Sequence, residues 1–359
     1  MKVLLLAPAK NPLIRRLKVR LLDRGCEVSL VSFDEGADYR LRGGGRFSDY
    51  LRFWLIRDII EKESPDLIHA HGVNHYGLLA SFQWSVPIVL AAWGSDVLGV
   101  AKRSNPFARI VLRLINAWSI LRATKVHSSA QHVVEEARRQ SVFANKEKFC
   151  SFYWGLPPVC DVSNGPGDVD PNAFLSGYSL KPDDRVVLFP RGLRALYSPL
   201  LVLDLIRKWN VVNPDRVCVV LKAFSTTSEE EFFFSNARDT RFVYIDRLLN
   251  DSELCCLYNR TDIHVNVPIS DALGGGVVEP IQFGSVPVLS DLKSYRELLA
   301  ATEGVMIEGQ SDEDLELAVT RAEGLAKHRD KHRAGNYSAI RVVSRIIKLY
   351  DEAMGRRSV

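Results

Sequence analysis

The chain has 359 residues, 47% hydrophobic and 25% charged, a composition typical of a soluble globular protein and a length that suits two α/β domains better than one core. No apolar run approaches the roughly 20 residues of a transmembrane helix, and the opening run at 3–7 is too short for a signal peptide and reads as a buried strand. The net charge of +4 is uneven: residues 1–160 carry 23 Lys and Arg against 14 Asp and Glu (+9), the remainder 24 against 29 (−5).

In chain order, short apolar runs alternate with helical patterns. Strands are predicted at 3–7, 27–33, 67–70, 88–92 and 125–128. Helices are predicted at 13–24, 50–63, 76–81, 106–122 and 130–140. Such alternation predicts a parallel sheet covered on both faces. Residues 156–184, rich in Pro, Gly, Asp and Ser, read as a linker. The alternation then restarts, with strands at 186–189, 217–221, 242–245, 263–267 and 287–289. Helices fall at 199–209, 228–235, 251–260, 277–283 and 292–300, and 312–355 is helical. The predicted architecture is an N-terminal Rossmann-like domain (1–155), a second one (185–335), and a C-terminal helix (336–359) that packs back on the first. A ligand is expected in the cleft between the domains, outside the carboxyl ends of the strands. The six cysteines, at 26, 150, 160, 218, 255 and 256, lack metal-ligand spacing and are expected to be reduced thiols.

The chemistry concentrates at 262–289. A strand at 262–268 runs into a loop with Asp271 and three glycines, Gly274, Gly275 and Gly276, then a helix carrying Glu279. Glycines let a ligand approach the backbone, and the helix N-terminus directs N–H groups and a positive dipole end at the loop, which suits a diphosphate. The two acids suit the hydroxyls of a sugar and a ribose, for which carboxylates are strong acceptors.

This segment resembles the retaining GT-B glycosyltransferases of the large family four. Their signature has two acidic residues eight positions apart before a Gly-x-Pro-Val strand, and Asp271, Glu279 and the run GSVPV at 284–288 match it, with Asp in place of the usual first Glu. The resemblance implies that Asp271 holds the donor sugar and Glu279 the nucleotide ribose. It also implies that Arg191, in the loop after strand 186–189, holds the donor diphosphate. The family's Lys several residues later falls on Tyr197, with Arg194 able to compensate as a bidentate donor. In the N-terminal domain the resemblance covers the strand and loop at 87–96. The family's His before the Gly is Trp93 here, so that role does not carry over. Ser95 and Asp96 remain candidates, Asp96 as a base or acceptor-orienting group, or simply as a helix cap. His69, His71 and His75 cluster at the end of strand 67–70. Metal ligation, structural hydrogen bonding and an acceptor-side role are all open for them, although the family's similar His-x-His is not a metal site. Lys10 can serve the donor phosphate electrostatically. Asp168 and Asp170 mimic an Asp-x-Asp metal motif within the polar linker.

The implied function is transfer of a hexose-type sugar from a UDP- or GDP-sugar to a glycan, lipid-linked or small-molecule acceptor, with retained configuration and no metal or other cofactor, as in polysaccharide biosynthesis. A nucleotide-sugar epimerase, a phosphorylase and an inactive sugar- or nucleotide-binding subunit are the alternatives. No nucleic-acid partner is expected, and a cytoplasmic location is. The basic first half can attract phosphate-bearing substrates or an anionic membrane, or be an ordinary solvated surface. The segment at 102–118 mixes cations with apolar residues at helical spacing. It can lie on a bilayer near a lipid-linked acceptor, or pack Ile110, Leu114 and Trp118 into the core.

Overall fold

A computed structural model describes the chain except residues 44–48, 51, 53, 101–104, 159–170, 182, 329–338 and 357–359. Asp168, Asp170, Cys160 and Lys102 therefore lie outside the described residues. Two compact units form, one from Met1–Leu156 with Ala339–Val359 and one from Pro157–Ser338.

The first unit runs β1 (Lys2–Leu6), α1 (Pro12–Leu22), β2 (Glu27–Ser32), β3 (Tyr39–Arg40), α2 (Trp54–Glu63) and β4 (Leu67–His71). A π turn, Gly72–Tyr76, leads into α3 (Gly77–Ala80). Then follow β5 (Ile88–Ala91), α4 (Pro106–Arg122), β6 (Lys125–Ser128), α5 (Gln131–Gln140) and β7 (Phe149–Ser151). Helix α1 starts where Asn11 accepts the Leu13 amide and Pro12 supplies the fixed φ of a first helical residue. The strands β1 and β4 are buried on both faces, as central strands of a covered parallel sheet must be. All seven pair in parallel in the order β3-β2-β1-β4-β5-β6-β7.

The second unit runs α6 (Pro171–Gly177), β8 (Arg185–Phe189), α7 (Pro199–Val212), β9 (Arg216–Leu221), α8 (Thr227–Asn236), β10 (Val243–Ile245) and α9 (Asp251–Arg260). It continues through β11 (Thr261–Asn266), α10 (Gly275–Gln282), β12 (Val286–Ser290), α11 (Lys293–Leu299), β13 (Val305–Ile307) and α12 (Asp312–His328). The parallel order is β10-β9-β8-β11-β12-β13. Capping boxes at Thr226 with Glu229 and Asn250 with Glu253 start α8 and α9. The final helix, α13 (Ala339–Ala353), belongs to the first unit and carries Tyr350, whose hydroxyl lies 2.7 Å from His69 Nδ1.

Both sheets share one topology. Three strands build outward to one side, then the chain crosses to the other side of the first. The reversal falls between β1 and β4 in one unit and between β8 and β11 in the other. Open α/β sheets bind ligands at the carboxyl ends of the strands that flank this reversal.

Several details depart from the sequence reading. β3, β7 and β13 are edge strands of two or three residues, too short to show a pattern. Helix α6 lies inside the stretch that composition marks as linker, and its Phe174 and Leu175 join Leu180, Val186 and Tyr258 in a core cluster. The cysteines are not all reduced: Cys255 is disulfide-bonded, whereas Cys26, Cys150, Cys218 and Cys256 keep their thiols. Cysteine spacing along the chain carries no information about this pairing in space.

Helix α4 is inverted. Its buried residues are Asn116, Ser119 and Ile120, whereas Phe107, Ile110, Leu114, Trp118 and Leu121 face outward, Phe107 at 74% and Leu114 at 65% exposure. The alternative that packed Ile110, Leu114 and Trp118 into the core is thereby excluded. Among the described residues no helix is long and apolar enough to cross a membrane.

Candidate functional site

In the second unit, Arg191 leaves the end of β8 and Asp271 lies in the loop after β11, so the reversal brings them together. Arg191 Nη2 donates to Asp271 Oδ1 at 3.0 Å. Asp271 Oδ2 accepts from the Gly274 amide at 3.0 Å and from Tyr295 Oη at 2.9 Å. Tyr197 lies under the Arg191 guanidinium, 4.8 Å from carbon to ring centroid, with its hydroxyl 3.4 Å from Nη2. Burial is the largest single influence on the Arg191 pKa and would depress it, but Asp271, Tyr197 and Tyr295 together outweigh it and raise the pKa, so the guanidinium stays charged. Burial, then Asp271, pushes the Tyr295 phenol well above its usual value, so it remains a donor.

The three glycines have separate steric reasons. A Cβ on Gly274 would sit 2.0 Å from Arg191 Nη1, and one on Gly276 2.8 Å from Arg191 Cδ. A Cβ on Gly275 would meet Glu279 Oε1 at 2.3 Å, because helical side chains lean back toward the N-terminus and onto the residue four positions earlier. Glu279 is buried, and its Oε2 accepts from Tyr258 Oη at 3.1 Å. Helix α10 contains Pro280, which lacks the N–H that the Gly276 carbonyl would receive. Asn266 Nδ2 supplies the donor instead, at 3.1 Å. His264 Nε2 reaches the Val277 carbonyl at 2.8 Å. These two β11 side chains fix the N-terminal end of α10 beside Asp271.

The loop carrying Arg191 is fixed by Gly192, at φ +75°, where a Cβ would lie 2.5 Å from the Lys222 carbonyl. Beside it, the Leu193 amide donates to Ser225 Oγ at 2.6 Å. The Ile269 amide donates to the Leu196 carbonyl at 2.9 Å, which ties the Asp271 loop to the Tyr197 turn. Arg194 is exposed on that turn.

In the first unit the carboxyl ends of β1, β4 and β5 surround a cavity of about 230 Å³ lined by His71, His75, Trp93, Ser95 and Asp96, with Tyr50 and Tyr76. That is below the ~300 Å³ at which pockets for drug-sized ligands begin, so it suits a small ligand or one end of a larger one. Asp96 is buried, and its oxygens accept from the Val73 amide at 2.7 Å and the Trp93 amide at 3.1 Å. Burial raises its pKa, and the backbone N–H groups oppose that. Trp93 Nε1 donates to His71 Nδ1 at 3.1 Å. Indole can only donate, so His71 Nδ1 is unprotonated and the neutral ring carries its proton on Nε2. Among the described residues that buried nitrogen has no hydrogen-bond partner. Burial, then the neighbouring histidines, holds His69 and His71 well below the usual histidine pKa. His69 is engaged by Tyr350 and by His127, 3.0 Å between the Nε2 atoms. His75 stacks edge-on against Tyr50. Lys10 is exposed and 4.0 Å from Glu35, outside the cavity lining.

The structure thus groups Arg191, Tyr197, Asp271, Gly274–Gly276 and Glu279 in one unit, and His71, His75, Trp93, Ser95 and Asp96 in the other. Sequence reasoning missed Tyr258, Asn266 and Tyr295, which come from other elements and belong to no local motif.

Residues 2–129 match the family model described as glycosyl transferase 4-like. No curated protein matches the sequence. Among solved structures, the chain is similar to sucrose-phosphate synthase from Thermosynechococcus elongatus, with a TM-score of 0.75 at 13% identity over 99% of each chain. It is similar to Anabaena HepE in complex with UDP and glucose, with a TM-score of 0.69 at 14% identity, over 98% of this chain and 100% of that one. It is also similar to UDP-GlcNAc 2-epimerase from Neisseria meningitidis bound to UDP-GlcNAc, with a TM-score of 0.63 at 13% identity, over 98% and 100%. The family match over residues 2–129 and the likeness to these structures agree with the GT-B resemblance, and the fold is GT-B.

Proposed function

We propose that the chain is a retaining glycosyltransferase that moves a hexose-type sugar from a UDP- or GDP-sugar to a glycan, lipid-linked or small-molecule acceptor, without a metal. The observation that carries this reading is the Arg191–Asp271–Gly274 group beside Glu279, at the carboxyl-end reversal of the second sheet. Arg191, held charged, meets the leaving diphosphate with the N-terminus of α10, and Arg194 is within the same loop. Removing one preorganised donor of this kind costs about 3–4 kcal/mol of transition-state stabilisation. Glu279 accepts from ribose hydroxyls and Asp271 from the sugar. Tyr197 orients Arg191 rather than touching phosphate. The first unit receives the acceptor, with His71 Nε2–H as a donor to one of its oxygens and Asp96 fixing the loop. The protein acts in the cytoplasm, at the inner face of the membrane.

The likeness to an epimerase favours a second reading, in which the donor alone is converted. Product analysis by NMR after incubation with UDP- and GDP-sugars, with and without candidate acceptors and with EDTA, separates the two. The proposal expects an acceptor-dependent α- or β-linked product of the same anomeric configuration as the donor, formed equally with EDTA. Conversion of the donor sugar without any acceptor would contradict it.

A further inference from the structure

Helix α4 buries Asn116 and Ser119 beside Ile120 and turns Phe107, Ile110, Leu114, Trp118 and Leu121 outward, unlike a helix whose whole apolar stripe packs on its own sheet. Inside, Asn116 Nδ2 donates to the Asp96 carbonyl at 3.0 Å and to Gln140 Oε1 at 2.7 Å. Outside, Phe107, Ile110, Leu114, Trp118 and Leu121 follow at intervals of three and four residues and form one continuous stripe. Trp84, itself 73% exposed, extends the stripe: its ring lies 6.4 Å from Trp118, and the Arg122 guanidinium sits 3.3 Å over it. The helix contains no Asp or Glu, and Arg109 and Arg113 are exposed beside Ile110 and Leu114.

From this we infer that the outer face of α4, with Trp84, docks on an anionic lipid bilayer. Contiguous apolar surface of this extent marks an interaction site. Arginines along an apolar stripe keep their charge at the headgroups while their stems lie on the hydrocarbon edge, and Trp at the boundary has the same preference. Cations without acids complement an anionic surface. A second copy of the chain fits poorly, since an isologous contact would bring the arginines of both helices into one interface with no acid on either helix to pair them. Through Asn116 the helix backs directly on the Asp96 loop, so docking brings the acceptor cavity close to the bilayer surface, where a lipid-linked acceptor lies.

This names the surface behind the membrane association in the proposed function and rests on that part of it alone. Its test uses no nucleotide and no transfer, so it can fail while the donor reading stands, and the reverse. The full chain is floated with vesicles of phosphatidylcholine alone or with about 30% phosphatidylglycerol at low salt. We expect it to float with the anionic vesicles and not with the neutral ones, and added salt to weaken the binding. Ile110→Ser/Leu114→Ser is expected to lower partitioning about tenfold, and Arg109→Gln/Arg113→Gln to lower it comparably on anionic vesicles, each melting at the wild-type temperature because all four side chains are exposed. Failure of the wild type to float with anionic vesicles overturns the inference, as does a serine variant that floats like the wild type. So does a concentration-dependent dimer in sedimentation that the serine variant dissociates, which would make the stripe a protein interface.

Discussion

Gly275 is a glycine because Glu279 lies where its Cβ would be. Its φ is ordinary for a helix start, so the constraint is steric, and the atom it would strike is the movable end of a side chain. Gly275→Ala should therefore fold, with a Tm within a few degrees of wild type, yet weaken nucleotide binding by swinging the carboxylate aside. Calorimetric titration beside a thermal melt checks both halves, and a variant that binds normally would show that Glu279 does not hold the ribose. Asp271 calls for a milder change than alanine, which would leave the part-buried Arg191 guanidinium without its carboxylate. Asp271→Asn keeps an acceptor for Gly274 and Tyr295 but loses the charge. It should lower transfer at least tenfold while retaining nucleotide binding, read as kcat against Kd.

The histidines of the first unit make a pH statement. Burial drives His127 down to about 3 and holds His69 and His71 well below their ordinary value. The unfolded chain protonates all three below about 6.5, so it binds more protons than the folded chain, and stability falls as pH drops from there toward 3. Each contributes a loss of about 1.4 kcal/mol per pH unit once well below 6.5. Urea melts at pH 7 and 5.5 should show the decline, and His127→Gln should reduce its slope by one histidine's share. A flat profile would contradict neutral burial.

Among elements, β11 and α10 show how a site is stabilised from beneath. Pro280 withdraws a helical hydrogen bond, and Asn266 restores it from the neighbouring strand. Asn266→Ala leaves the Gly276 carbonyl without that donor and should cost about 1–3 kcal/mol in denaturant melts; no loss would mean that the carbonyl is satisfied otherwise. This dependence is invisible in the sequence, where Asn266 reads as the end of a strand. By contrast Asp271, Gly274–Gly276 and Glu279 were legible, because they lie within nine residues and their spacing carries the chemistry. Arg191 was legible only through the family resemblance. Tyr258 and Tyr295 were not legible at all, since their hydroxyls meet Glu279 and Asp271 across 21 and 24 residues. The parallel sheets were evident from alternating apolar runs. Of the edge strands only β10 was, at 242–245; β3, β7 and β13 were not, because a two- or three-residue strand is created by its neighbour rather than by its own pattern. The same holds for α6, where Phe174 and Leu175 bury a short helix within a polar stretch.

At the scale of the whole molecule, the chain ends by returning to its first unit. Tyr350 on α13 meets His69 on β4, and Lys125 on β6 pairs with Glu352 at 2.8 Å. A chain truncated at 338 should lose protection from hydrogen exchange in β1 and β4 while β8 and β11 keep theirs. Equal loss in both units would show that α13 is not a part of the first unit's fold alone. The central claim remains that the Glu279 segment is a nucleotide-sugar donor site. Titration calorimetry of UDP, GDP and their glucose conjugates against wild type and Glu279→Ala tests it most directly. The account predicts that at least one of these nucleotides binds the wild type and binds the variant at least tenfold more weakly. Absence of binding to the wild type, or equal affinity in the two proteins, would contradict it.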